Sequence, residues 1–234
     1  MINFSKILEE RKSRYVRFEK RIEYKRVPRS FERAVLEKRE QGVNPVISEI
    51  KFSSPSGRIR AYGDPKVIAA DMINGGACGI SVLTEEKYFG GSLKNLSKVS
   101  EISSIPVLRK DFIFDEAQVA ESYYYGADSL LLIAGFFDEE ALKKFIAASH
   151  ALGMEPIVEV HCAEDIEKAE KAGASIYAIN NRDKDTMQID LNRSRIFSKD
   201  INGIKISASG INALQDLKFV LKYCEAALIG SAVM

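Results

Sequence analysis

The feature that most constrains the fold is a series of short apolar runs that recurs about every 25 residues. These runs are rich in β-branched and aliphatic residues, which is typical of buried strands. The strand candidates are residues 45–50, 79–84, 106–110, 129–134, 156–160, 176–180, 204–208 and 226–230. Amphipathic stretches separate them, and several begin with Asp or Ala-Glu and end with Gly, which are helix start and stop signals.

Strands that alternate with helices predict parallel pairing through right-handed crossovers. Eight such strands fit a closed (β/α)8 TIM barrel of the α/β class, and an open doubly wound sheet is the alternative. We expect the barrel over residues 45–234 and a helical N-terminal extension over 1–44, with a long helix near 4–26 and a shorter one near 30–42. No helical pattern follows the eighth strand, so we expect the final helix to be missing.

Composition narrows the class of protein further. The 234 residues carry a net charge of +1, which gives no global attraction to nucleic acid or anionic lipid. The three cysteines, Cys78, Cys162 and Cys224, are widely spaced and odd in number, which favours a reducing compartment. Neither a secretory signal nor an apolar run long enough to span a bilayer is visible, so we expect a cytoplasmic protein with no membrane partner.

One local segment is strongly basic. Residues 11–26 contain eight basic and two acidic side chains, which raises the possibility of an RNA-binding arm. The alternative is a solvated helix face on which Tyr15, Phe18 and Ile22 pack inward. We favour the helix face and therefore expect no nucleic-acid partner.

Polar side chains interrupt several strands at their downstream ends. Glu49 and Lys51 lie two positions apart and therefore project to the same side of the first strand. Later strands end with further polar residues: Lys110, Glu159, Asn180, Arg182, Ser209 and Ser231. Because barrels of this kind carry their active sites at the C-terminal ends of the strands, these residues predict a catalytic mouth. Two lysines and two glutamates there allow either proton transfer by an ammonium or attack by a Schiff-base lysine.

Small residues at three strand ends indicate an anion site. Backbone N–H groups in such turns commonly bind phosphate in these barrels, although plain turns are the alternative. The candidates are Ser54, Gly210, Gly230 and Ser231. Phe89 and Phe112 follow the second and third strands, where they either line a pocket for an aromatic ring or pack the loops.

The sequence offers no signature of a metal or a bound cofactor. His150 and His161 are isolated from other ligand-type residues at metal-binding spacing, so we expect a structural role for each. No glycine-rich dinucleotide fingerprint and no P-loop is present. We expect neither a metal nor a cofactor.

Taken together, the motifs resemble the indole-3-glycerol phosphate synthase family of tryptophan biosynthesis. The resemblance lies in SEIKFSSPSGRI, SVLTEEKYFGGS, PVLRKDFIFDEAQ, GADSLLLI, PIVEVH, INNRD, SASGI and LIGSAVM, which span all eight strands in order. It implies the decarboxylating and dehydrating ring closure of 1-(2-carboxyphenylamino)-1-deoxyribulose 5-phosphate, without a cofactor. The partner is then a phosphorylated small molecule, and we expect a monomer.

The resemblance also implies roles for individual residues. Lys110 matches the general acid, and Glu159 matches its partner carboxylate in the dehydration. Lys51 matches the lysine near the anthranilate carboxylate, and Glu49 orients it. The catalytic set that the resemblance implies also includes Asn180 and Ser209. The remaining matches are Arg182 toward the substrate, Phe89, Phe112 and Leu131 around its ring, and Ser54, Gly210, Gly230 and Ser231 at its phosphate.

Two departures from the family pattern bear on activity. Ala208 stands where the family usually has Glu, so a carboxylate that normally faces the substrate is absent. Asn181 and Lys184 alter the loop after the sixth strand. The competing interpretations are therefore a Schiff-base aldolase on another phosphosugar, and a barrel of low activity or one that only binds phosphate ligands. The isomerase of the preceding pathway step fits less well, because it resembles a barrel with Cys at the end of the first strand.

Overall fold

A computed structural model of the chain describes residues 4–23, 26–55, 57–184 and 186–234. Eight parallel strands close into a barrel in which each strand pairs with the next and β8 pairs with β1. The strands are β1 (Val46–Ile50), β2 (Gly79–Leu83), β3 (Val107–Lys110), β4 (Ser129–Ile133), β5 (Ile157–Val160), β6 (Ile176–Asn180), β7 (Ile204–Ala208) and β8 (Ala226–Ile229). The predicted barrel is confirmed, and each predicted strand overlaps an observed one.

Helices precede the barrel and alternate with its strands. They are α1 (Phe4–Arg14), α2 (Phe31–Glu40), α3 (Pro65–Asn74), α4 (Leu93–Ile102), α5 (Ala117–Tyr124), α6 (Glu139–Ala151), α7 (Ala163–Lys171), α8 (Asn192–Phe197) and α9 (Leu214–Val220). A short antiparallel hairpin, Ser53–Ser54 with Gly57–Arg58, lies between β1 and α3. After β8 the described residues form a turn rather than a helix.

Capping residues explain where several helices begin. The side chains of Ser30, Asp64, Ser92 and Asp138 each accept a backbone N–H from the first turn of the helix that follows. Such a cap stabilises a helix by about 1 kcal/mol, because it satisfies a donor that has no partner inside the helix. The capping residues therefore determine where these helices begin after the preceding loops.

The core lies inside the barrel and between the strands and helices. The interior is filled by aliphatic side chains that alternate along the strands, among them Ile47, Leu131, Ile157, Ile206 and Leu228. Burial of each such side chain stabilises the fold by about 1.5–3 kcal/mol. A rigid packed interior leaves the C-terminal ends of the strands as the place for a cavity.

The prediction of one long helix near 4–26 is wrong. Helix α1 ends at Arg14, and residues 15–23 and 26–30 are not helical, while residues 24–25 lie outside the described residues. Ion pairs fix this segment on both sides, because Arg14 pairs with Glu85 at 2.9 Å and Arg26 pairs with Asp128 at 2.8 Å.

Tertiary contacts hold this non-helical segment in place. The ring of Tyr15 lies 5.2 Å from that of Phe114, and the ring of Phe18 lies 5.3 Å from that of Tyr124. Ile22 packs against the core between strands and helices. The expected inward packing of these three residues is therefore found, but on an irregular chain. No helix in the described part of the molecule has the length and apolar character needed to cross a membrane.

Candidate active site

A cavity of about 520 Å³ opens at the C-terminal ends of the strands. Its wall includes most of the residues that the sequence predicts for the site: Glu49, Lys51, Ser54, Phe89, Lys110, Phe112, Leu131, Glu159, Asn180, Arg182, Ser209 and Ser231. A smaller cavity of about 110 Å³ shares Glu49, Lys51 and Lys110 and adds Gly210 and Gly230. The candidate residues thus surround two adjoining cavities that share part of their lining.

Glu49 lies between two lysines. Its Oε1 is 2.7 Å from Lys51 Nζ, and its Oε2 is 2.8 Å from Lys110 Nζ. Burial opposes the charge on Glu49, but the two ammonium groups outweigh it and lower the pKa of the carboxyl to about 2. Glu49 is therefore a permanent anion that holds both lysines in the cavity.

Lys110 is held in its protonated form. Burial alone would lower the pKa of its amine, but the charges of Glu49 and Glu159 and the bond to Glu49 raise it above its ordinary value. Its side chain remains about one-fifth exposed, toward the cavity. The group is therefore available as a proton donor rather than as a neutral nucleophile.

Glu159 is fixed by two neighbours on one oxygen. Its Oε1 accepts a hydrogen bond of 3.0 Å from Asn180 Nδ2 and lies 2.9 Å from His161 Nε2. Asn180 is oriented in turn, because its Oδ1 accepts the backbone N–H of Arg182. Burial raises the pKa of Glu159, but His161, Lys110 and Asn180 together lower it below its usual value. Glu159 is therefore a carboxylate.

His161 is a neighbour of the site that the sequence pattern did not predict. We expected only a structural role for it, but its imidazole is buried against Glu159. The sequence spacing could have indicated this contact. Residues 159 and 161 are two positions apart, as Glu49 and Lys51 are, and side chains at this spacing project to the same side of a strand.

The contacts of Asp111, which follows Lys110 in the chain, were also not predicted from the sequence. The neighbouring Asp111 is buried, accepts a hydrogen bond of 2.7 Å from Thr84 and pairs with Arg109 and Arg11 at 3.0 and 3.1 Å. Burial raises the pKa of Asp111, but the two guanidinium groups lower it overall. Arg11 lies on α1, so no local pattern could have revealed this contact.

One wall of the cavity is apolar. The ring centroids of Phe89 and Phe112 are 6.3 Å apart, and Phe112 stacks on Phe136 at 5.9 Å. Leu131 and Leu83 complete this wall. It lines the same cavity as the lysine–carboxylate cluster, and its aromatic and aliphatic side chains have the chemistry to hold a planar ring.

Another part of the lining consists of turns with unusual backbone conformations. Ser209 has φ +70° and Gly210 has φ +82°, so both lie in the left-handed region. A Cβ on Gly210 would come within 2.3 Å of Ile189. Arg182 and Ser231 line both cavities beside these turns. Small residues and a nearby guanidinium are the features of an anion-binding site.

Neither departure from the family pattern disturbs the fold. Ala208 is buried in the barrel interior at the level of Asn180. Asn181 bonds through Nδ2 to the Ser207 hydroxyl at 2.9 Å and to the Ser209 carbonyl at 3.1 Å. Among the residues that the structure describes, no cluster of three or more His, Cys, Asp or Glu side chains could hold a metal ion.

The closed barrel and the charged cavity at its C-terminal face define a (β/α)8-barrel enzyme. The family model described as indole-3-glycerol phosphate synthase matches residues 3–234. The chain belongs to this family.

Curated relatives agree with this assignment. The chain is 44% identical over 196 residues to indole-3-glycerol phosphate synthase of Methanocaldococcus jannaschii, covering 82% of this chain and 73% of that protein. It is 44% identical to the Leptospira interrogans protein of the same name, covering 81% and 76% of the two chains. The Carboxydothermus hydrogenoformans protein of that name is 40% identical, with 89% and 81% covered.

Solved structures at low identity support the fold alone. N-acetylmannosamine-6-phosphate 2-epimerase from Clostridium perfringens superposes with a TM-score of 0.64 at 17% identity, covering 82% of this chain and 87% of the other. Tryptophan synthase subunit alpha from Legionella pneumophila gives a TM-score of 0.62 at 11% identity, covering 86% of each chain.

Proposed function

We propose that this chain converts 1-(2-carboxyphenylamino)-1-deoxyribulose 5-phosphate into indole-3-glycerol phosphate, with release of CO₂ and water. Family membership and the names of the relatives support this reaction. The observation that carries the proposal is the position of Lys110, an ammonium 2.8 Å from Glu49 and electrostatically coupled to Glu159 in a cavity with an apolar wall.

The first step forms a carbon–carbon bond. The ring carbon that bears the carboxylate bonds to the carbonyl carbon of the sugar chain, and the carbonyl oxygen takes a proton from Lys110. Loss of CO₂ then returns the electron pair of the broken bond to the ring, which regains its aromaticity. A proton donor placed at the developing alkoxide accelerates such a step by about 10²–10⁴-fold.

The second step removes water. The hydroxyl departs with a proton from one of the two ammonium groups, and Glu159 accepts the proton lost from the adjacent carbon. Lys51 and Lys110 both pair with Glu49, so their amino groups lie near the same part of the cavity. The pKa of Lys110 is raised and that of Glu159 is lowered. Lys110 is therefore protonated and can act as the acid, while Glu159 is ionised and can act as the base.

The remaining residues bind and orient the substrate. Phe89, Phe112 and Leu131 accept the aromatic ring, and Arg182, Asn180 and Ser209 contact its polar groups beside Glu159. The phosphate binds to the backbone and hydroxyl groups of Ser54, Gly210, Gly230 and Ser231. The two adjoining cavities support this arrangement, because one has the apolar wall and the other the small-residue turns.

The proposal is tested by indole fluorescence after the substrate is mixed with purified protein. We expect Lys110→Met, which keeps the length of the side chain but removes its charge, to lower kcat by about 100-fold or more. Lys171→Met, on the exposed surface of α7, is the matched control and should behave as the wild type. Equal turnover by Lys110→Met and the wild type would overturn the assignment of the acid.

A Schiff-base reaction on another phosphosugar is the competing chemistry. It needs a neutral lysine, whereas carboxylates favour the charged form of Lys110. Borohydride treatment in the presence of a ketose phosphate should therefore leave no covalent adduct on Lys110. An adduct found by mass spectrometry would favour the competing chemistry.

A further inference from the structure

His161 occupies a position that packing alone does not explain. It follows β5 directly, is almost fully buried, and its Nε2 lies 2.9 Å from Glu159 Oε1. Since a carboxylate only accepts hydrogen bonds, the imidazole is the donor in this contact. The backbone of His161 is also fixed, because its N–H donates to Asp165 at 3.0 Å and its carbonyl accepts a hydrogen bond from Arg193.

The surroundings of His161 favour the imidazolium form. Burial opposes the charge, but the bond to Glu159, the charges of Glu159 and Asp165 and a backbone contact with Arg182 outweigh it and raise the pKa of His161. Four charged groups of the described residues face this region: Glu159 on β5, Asp165 on α7, Lys110 on β3 and Arg193 on α8.

Both bonds to Glu159 fall on the same oxygen. Asn180 and His161 both contact Oε1, and none of the hydrogen bonds among the described residues ends on Oε2. Glu159 nevertheless lines the cavity, so Oε2 is the atom available to a bound substrate. A carboxylate that is anchored through one oxygen presents the other in a fixed direction, as a proton acceptor requires.

We propose that His161 is a positioning residue for Glu159: its Nε2–H anchors Oε1 so that Oε2 is directed at the proton lost in the dehydration. This inference deepens the proposed function and rests on the role of Glu159 as the base. His161 itself touches neither the substrate nor the reacting atoms.

The contact is tested first by NMR, without reference to activity. The chain has only two histidines, so His150→Gln removes one imidazole signal and assigns the other to His161. We expect His161 to titrate above pH 6.5 in the wild type. In Glu159→Gln the midpoint should fall by about one pH unit or more, because the charged partner is lost. A midpoint that does not respond to Glu159→Gln would overturn the proposal.

Kinetics then separate positioning from packing. His161→Leu fills a similar volume without a donor, and we expect kcat to fall about 10- to 100-fold, the range that a bond to a charged group supports. The acid limb of the pH profile should move to higher pH, because Glu159 loses a partner that lowers its pKa. His161→Gln places an amide N–H near the position of Nε2 and should restore most of kcat. His150→Gln is the control, since His150 is exposed on α6.

The outcomes distinguish this inference from the proposed reaction. If the wild type makes no indole product while the NMR midpoint depends on Glu159, the contact between His161 and Glu159 is supported and the proposed reaction is wrong. If His161→Leu lowers thermal stability but leaves kcat and the pH profile unchanged, His161 serves only packing, and the positioning role is wrong.

Discussion

At the residue scale, Gly230 determines whether Glu49 can sit between its two lysines. A Cβ on Gly230 would lie 2.6 Å from Glu49 Oε1 and 3.0 Å from Lys51 Nζ. We expect Gly230→Ala to displace the carboxylate and to lower kcat/KM by about 100-fold, the effect of a misplacement of about 1 Å.

Gly63→Ala is the matched control for this substitution. A Cβ on Gly63 would meet Ile68 at 3.5 Å, an ordinary contact. Steady-state indole formation by both variants gives the comparison. If Gly230→Ala folds and retains wild-type kcat/KM, the close approach to Glu49 is irrelevant to catalysis.

Ala208 is a second residue at which we expect a substitution to change activity. It ends β7 just before Ser209, which lines both cavities together with Lys51, Lys110 and Arg182. A carboxylate added here enters a cationic part of the site, where the family pattern usually has Glu. We expect Ala208→Glu to raise kcat by about 10-fold through electrostatic stabilisation of the transition state.

Ala208→Gln controls for the added volume in the same fluorescence assay. An equal gain with Gln would attribute the effect to shape rather than to charge. Loss of turnover in both variants would show that the buried position does not accept a longer side chain in this chain.

At the element scale, the loop after β6 holds the backbone of the proposed phosphate site. Asn181 bonds to the Ser209 carbonyl, and its Oδ1 accepts a hydrogen bond from the Ser194 hydroxyl at 2.8 Å. Ser209 keeps φ +70°, a conformation that costs about 1–3 kcal/mol for a residue other than glycine and needs such support.

Asn181→Ala should therefore weaken substrate binding more than it slows the chemistry. We expect KM to rise about 10-fold with a smaller change in kcat, and the free energy of unfolding to fall by about 1–3 kcal/mol, because buried partners lose their bonds. Asn192→Ala, an exposed change on α8, is the control in both measurements. An unchanged KM would contradict the role of this loop.

Elements were predictable where local signals and tertiary structure agree. The strands followed from apolar runs bounded by turns, and the site followed from polar residues such as Glu49 and Lys110 at strand ends. The length of α1 was not predictable, because distant contacts of Tyr15 and Phe18 outweigh the helical propensity of that segment. The role of Arg11 was hidden for the same reason, since its partner Asp111 lies 100 residues away.

At the scale of the whole molecule, the N-terminal extension connects the two ends of the barrel. Arg11 and Arg14 on α1 pair with Asp111 and Glu85 in the loops after β3 and β2. On α2, the backbone N–H of Phe31 donates to Glu155, just before β5. The extension thus supports the loops that carry the apolar wall while it also packs at the opposite end.

The free energy of unfolding should depend on pH in the acid range, because the carboxyl group of Glu49 titrates there. Its pKa is lowered in the folded state from 4.5 to about 2, so its ionisation stabilises the fold fully above pH 4.5. This contribution is lost as the pH falls from 4.5 toward 2. Urea denaturation at a series of pH values should show a smaller acid-dependent loss in Glu49→Gln. Identical pH dependence in the two proteins would contradict the charge pairing.

In the proposed reaction, Glu49 keeps Lys110 protonated so that Lys110 can act as the acid. The most direct test is the pH profile of kcat/KM for indole formation by the wild type and by Glu49→Gln. The carboxylate raises the pKa of Lys110, so we predict that the alkaline limb moves to lower pH in the variant, by about one unit or more. An alkaline limb at the same pH in both proteins would contradict the claim.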